Sequence, residues 1–241
     1  MTGSASSADT AGRVPFRLRI GVTGHRRLSE DPELRERVRR AVAHARDLVG
    51  PSERTEVLLT VVSPLAEGAD RVVAQEVLRD PTATLEAFLP MPVHEYVEDF
   101  ETEESRREFT GLLARAVQVT VASESVADPD DRRKAYQRAG RLVADRSDVL
   151  IVLWNGEEAE SEGGTGEVVA YAREKRYPII WVRTEPPFAT QEECLSDGPF
   201  KETFTGLDRY NAGAPEAPEA AARPGPCNHE TRGRAPERRH P

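Results

Sequence analysis

Residues 162–167 read Glu-Gly-Gly-Thr-Gly-Glu and stand between an apolar run, Val149–Trp154, and a helical pattern that sets in by Val168. Glycines in that place let backbone N–H groups approach an anion, and the first turn of a helix adds the positive end of its dipole. The chemistry this suits is the seating of a phosphate. The same spacing also serves a plain chain reversal, so the loop takes its meaning from its neighbours. Three other loops are rich in hydroxyls, turn residues and charge: Thr23-Gly24-His25-Arg26, the stretch from Ser63 to Asp70, and Leu89-Pro90-Met91-Pro92.

Each of these loops follows an apolar, β-rich run. Strands are predicted at residues 17–23, 57–62, 85–89, 117–121, 149–154 and 178–182, with helical patterns at 31–49, 72–78, 95–116, 129–145 and from 168 onward. The first helix shows the logic best. Leu34, Val38, Val42, Ala45 and Leu48 recur on one face, Ser29 or Asp31 supplies a cap, and Pro32 suits an early position. Strands alternating with helices predict a single-domain α/β protein, a Rossmann-like doubly wound parallel sheet in three α/β/α layers. The unbroken apolar run at 149–154 belongs at the centre of the sheet, and Pro178 puts its strand at or near an edge. Ligands of such sheets bind beyond the carboxyl ends of the strands, so all these loops converge on one rim.

Composition narrows the function classes. The 241 residues carry 42 acidic against 33 basic side chains, a net charge of −9 that argues against a nucleic-acid partner. Two cysteines, Cys194 and Cys227, form no CxxC pattern and the five histidines no metal-ligand spacing, so neither a disulfide framework nor a metal site is expected. A reducing cytoplasm fits this usage. No stretch has the ~20 apolar residues that span a bilayer. GxxxxGK[ST], GxSxG and a GxGxxG after the first strand are absent, which excludes P-loop, nucleophile-elbow and ordinary dinucleotide chemistry; no cofactor is expected. Residues 1–14 and 212–241 lack apolar periodicity and read as disordered ends around a domain at 15–211.

Val22-Thr23-Gly24-His25-Arg26, the run from Ser63 to Arg71, and Gly163-Gly164-Thr165-Gly166-Glu167 resemble the SLOG superfamily over residues 16–184. That superfamily takes in the Lonely Guy phosphoribohydrolases, the DNA-processing protein A family and nucleotide-sensor domains. The resemblance implies a nucleotide pocket lined by Gly24, His25, Arg26, Ser63, Glu67, Gly68 and Asp70, with Gly163, Gly164, Thr165 and Gly166 holding the phosphate. Local alternatives stand beside these roles. His25 could donate to a phosphate, stack on a base or bond nearby backbone; Arg26 could meet the ligand or pair with Glu30. Asp70 suits ribose hydroxyls and equally suits a helix start, while Ser63 could serve ligand or local backbone. His94 and Tyr96 could cover a base or anchor their loop, and Trp154 and Trp181 read as packing.

For catalysis, Lonely Guy enzymes pair an Arg-Lys helix with the loop PGGxGTxxE. Arg133-Lys134 matches the first element, but Glu162, Glu167 and Ala170 replace the loop's proline, threonine and glutamate. Alanine cannot move a proton, so Glu167, one turn earlier, is the carboxylate left to act with Arg133. The reading is therefore a nucleotide-binding sensor, of the kind used in bacterial signalling or defence, working as a homodimer or through a separate effector protein. The alternative is hydrolysis of a nucleoside-monophosphate N-glycosidic bond.

Overall fold

Apolar strands flanked by amphipathic helices assemble into a seven-stranded sheet in a computed structural model of the chain, which describes residues 14–49, 55–157 and 164–194. The expected disordered ends, apart from Val14, lie outside the described residues, as does Gly163. In chain order the elements are β1 Val14–Gly24, α1 Pro32–Asp47, β2 Thr55–Ser63, α2 Ala69–Val77, β3 Thr84–Leu89, α3 Val93–Tyr96, a 3₁₀ turn Val97–Asp99, α4 Glu103–Leu113, β4 Ala116–Val121, α5 Pro129–Asp145, β5 Val149–Trp154, α6 Thr165–Lys175, β6 Ile179–Arg183 and β7 Thr190–Glu193. The sheet order is β4-β3-β2-β1-β5-β6-β7, parallel throughout except for antiparallel β7.

The three layers follow from β5. Its six residues are all buried, and alternate side chains enter opposite cores. Val149, Ile151 and Leu153 join the larger cluster with α1 and α2, whereas Leu150, Val152 and Trp154 join the smaller one with α5 and α6. Each such aliphatic side chain contributes roughly 1.5–3 kcal/mol on burial, which is why a continuous apolar run marks an inner strand. α1 is capped as its sequence suggests: the Asp31 carboxylate accepts from the Glu33 N–H at 2.8 Å, and Pro32 opens the helix.

Two elements differ from the periodicity. The helical pattern at 95–116 breaks into α3, the 3₁₀ turn and α4, because Phe100 adopts extended backbone and buries its ring between Tyr96 and Phe109, at centroid distances of 5.1 and 5.0 Å. Thr102 then starts α4 afresh, its hydroxyl accepting from the Ser105 N–H. β7 is the other difference. Thr-Gln-Glu-Glu carries no apolar alternation, and its anchor lies off the strand, where Glu193 takes both 2.7 Å bonds from the Arg173 guanidinium of α6. β7 makes β6 the second strand from the edge, as Pro178 suggests. No helix among the described residues is long and apolar enough to cross a membrane.

Gly111, exposed inside α4, has open space where a Cβ would stand. Gly111→Ala is expected to stabilise the fold by about 0.5–1 kcal/mol, since only backbone entropy changes. Urea denaturation of the two proteins checks it; a destabilised variant would mean that α4 packs differently.

Candidate functional site

The chain runs outward from β1 through β4 and then crosses back to lay β5 on the other side of β1, so the strand order reverses between β1 and β5. Loops leaving two neighbouring strands in opposite directions open a crevice at their carboxyl ends. A cleft of about 380 Å³ occupies that place, lined by the β1 and β2 loops, Tyr96, one face of α5, the β5 loop and the start of α6. The volume lies in the range of small-molecule sites.

Close contact of three loops builds its floor. At Gly24 a Cβ would come within 3.0 Å of both the Leu153 carbonyl oxygen and the Ala69 Cβ, so only glycine lets β1 end between β5 and α2. The next residue joins them: the His25 N–H donates to the Leu153 carbonyl, the His25 carbonyl accepts from the Ala69 N–H, both at 3.0 Å, and its Nε2 lies 3.0 Å from Asn155 Oδ1. Gly68, at φ 74°, lies against the backbone of His25 and Arg26. The described side-chain contacts of His25 are with Asn155 of the β5 loop, whose N–H lies 3.2 Å from Nε2.

Arg26 does not pair with Glu30; its guanidinium lies over the Tyr136 ring, 5.0 Å from the centroid. The Tyr136 hydroxyl donates to Asp99, which also receives Arg132 at 2.7 Å, and this chain of contacts ties α5 to the 3₁₀ turn. Asp70 is 5 % exposed, and the Ala66 N–H donates to its Oδ2 at 3.0 Å. Burial pushes its carboxyl up to about 7 against the opposing pull of that N–H and of Arg26 and Arg71. Tyr96 lines the cleft, is fully buried and stands edge-on to Phe100, Phe109 and Tyr136, and its buried hydroxyl has no hydrogen-bond partner among the described residues. Burial raises the Tyr96 hydroxyl well above its ordinary value, so it is a neutral O–H at any physiological pH.

Across from these residues, α6 begins at the cleft wall. Gly164 is its N-cap and makes no side-chain cap, and Gly164, Thr165 and Gly166 all line the cleft. The first N–H groups of a helix have no partner within it, and among the described residues no side chain caps them here. One wall is thus a concentrated source of N–H donors and the other a buried, proton-holding carboxyl with a neutral hydroxyl.

Gly24, His25, Arg26, Asp70, Gly164, Thr165 and Gly166 all meet at this cleft, with Gly68 bracing its floor. Four expected residues stand elsewhere. Ser63 Oγ is buried and accepts from the Leu65 N–H at 3.0 Å, a local turn. Glu67 turns toward α4 and accepts from the Ser105 hydroxyl. Arg133 pairs with Asp130 at 2.7 Å on the outer side of α5, and Glu167 is held by Gln137 and Arg141 of α5; neither lines the cleft. Tyr136, Ala139 and Gly140 are lining residues that the loop motifs did not single out, although their spacing places them on one face of α5. Trp154 both packs on Trp181 and reaches the cleft. His94 is exposed. Among the described residues no group of three or more His, Cys, Asp or Glu could hold a metal ion. Compared with known proteins, the chain matches no family model, and no curated protein matches it.

Proposed function

We propose that the protein binds a nucleotide or nucleotide-derived small molecule in this cleft, with a phosphate on the N-terminus of α6. The observation that carries the reading is the start of that helix, with no side-chain cap, opening on the crevice where the strand order reverses. Arg26 at the same rim adds a cation, and the resemblance of the loops to SLOG domains points the same way. Retention of the ligand is favoured over cleavage because Arg133 and Glu167 both lie off the cleft and Ala170, in the place of the family's acid, is exposed.

Gly164→Asp tests the phosphate seat. Gly164 has φ −81° and ψ 173°, a conformation open to an aspartate whose carboxylate would cap α6 and occupy the seat itself. Folding stability is expected to stay level or rise by a few tenths of a kcal/mol. Affinity for nucleoside 5′-monophosphates, measured by calorimetry, is expected to fall at least tenfold, about 1.4 kcal/mol. Undiminished affinity in a folded variant would place the phosphate elsewhere.

A further inference from the structure

We propose that Asp70 and Tyr96 form a reader of sugar hydroxyls, so that the cleft takes ribonucleotides and discriminates against their deoxy counterparts. This rests on the nucleotide reading above and specifies which part of the ligand goes where.

The argument begins with a cost. A buried hydroxyl without a partner forfeits roughly 1–3 kcal/mol, and the Tyr96 O–H is such a group. Its ring is fixed by Phe100, Phe109 and Tyr136, so the hydroxyl cannot swing out to water. Phenylalanine at this place would keep every ring contact without the cost. The hydroxyl is positioned for something that enters the cleft.

Asp70 says what that is. Its one described hydrogen bond, from the Ala66 N–H, occupies Oδ2, which leaves Oδ1 of this cleft-lining residue without a described partner. Asp70 is close enough to Tyr96 to raise its hydroxyl further, and both residues line the same cleft. A phosphate against this wall would set a second negative group beside a buried carboxyl whose charge is already disfavoured. Nor does an apolar base edge suit two polar groups. A neutral group that both donates and accepts fits both, and the hydroxyls of a ribose are such groups.

Geometry allows both ends to be met at once. Asp70 follows β2 and Gly164 follows β5, with β1 alone between these strands. Two strand spacings are about 10 Å, and side chains and N–H bonds reach inward from each side. One sugar phosphate, with its phosphate and ring hydroxyls at opposite ends, is of the size class to bridge two walls so spaced.

The test compares AMP, 2′-deoxy-AMP and 3′-deoxy-AMP by calorimetry on the full chain and on its Tyr96→Phe and Asp70→Asn variants. At least one deoxy probe is expected to bind the wild type tenfold or more weaker than AMP, and that ratio is expected to fall toward one in both variants. Both substitutions keep side-chain shape, and thermal melting confirms folding before binding is measured. Equal affinity for all three probes in the wild type, or a ratio unchanged in both variants, overturns the hydroxyl reader while leaving the nucleotide site standing. Failure of every probe to bind removes the site and the reader together.

Discussion

Replacing Asp70 with Asn is expected to make the protein more stable at pH 8 and to leave its stability at pH 4 unchanged. The carboxyl titrates near 3.8 when exposed and at about 7 in the folded chain, with burial as the largest cause. Between those values the folded state keeps a proton that the unfolded state has lost. The stability that this carboxyl contributes is therefore fully present below about pH 4 and is lost as pH rises through 7, where the buried group ionises at last. A shift of about three units corresponds to some 4 kcal/mol, an upper bound because the N-terminal dipole of α2 favours the carboxylate. Asparagine has no charge to bury and still offers an oxygen to the Ala66 N–H. Urea denaturation of both proteins at pH 4, 6 and 8 reads the difference directly. Because every other titrating group is common to the pair, parallel stability profiles would show that Asp70 ionises normally and is not desolvated.

Gly68→Ala should be the most damaging single-methyl change in the described chain, at about 3 kcal/mol or more. Two penalties combine. At φ 74° and ψ −119° the backbone is in a region that L side chains rarely enter, which costs roughly 1–3 kcal/mol. A Cβ there would also stand well inside 3.0 Å of the His25 and Arg26 carbonyl oxygens, and backbone gives way less readily than a side-chain end. The loop would have to retreat, carrying the N-terminus of α2, and Asp70 with it, away from the β1 loop. The midpoint in urea should drop sharply while Gly111→Ala, the same chemical change on an open helix face, moves it the other way. A Gly68→Ala protein as stable as the wild type would mean that the β1 and β2 loops are not in close contact.

Much of this architecture can be read from residue order. β5 and α5 are found at the bounds that their apolar run and their Pro129 start indicate, because a doubly buried strand and a proline-led helix are locally unambiguous. Convergence of the loops on one rim is legible too, as parallel topology forces it. What one chain does not encode locally is where a polar side chain points. Glu67 and Asp70 lie three residues apart at one helix start, yet one turns to Ser105 and the other to the cleft. Arg133 and Tyr136 share a helix with the same spacing, and only the tyrosine reaches the site. These choices are made by partners more than thirty residues away, such as Ser105 for Glu67 and Asp99 for Tyr136. β7 escapes for a related reason: its four polar residues are a strand only because β6 offers an edge and Arg173 a pair of bonds.

The cleft also sets how a ligand would act on the molecule as a whole. Its walls come from β1, α2, α3, α5, β5 and α6, so they draw on nearly the full described length of the chain. No hairpin or single crossover holds a usable fraction of them. Occupancy is consequently linked to global rather than local unfolding: at a hundredfold excess over Kd it would add about 2.7 kcal/mol to the stability of the entire domain at once.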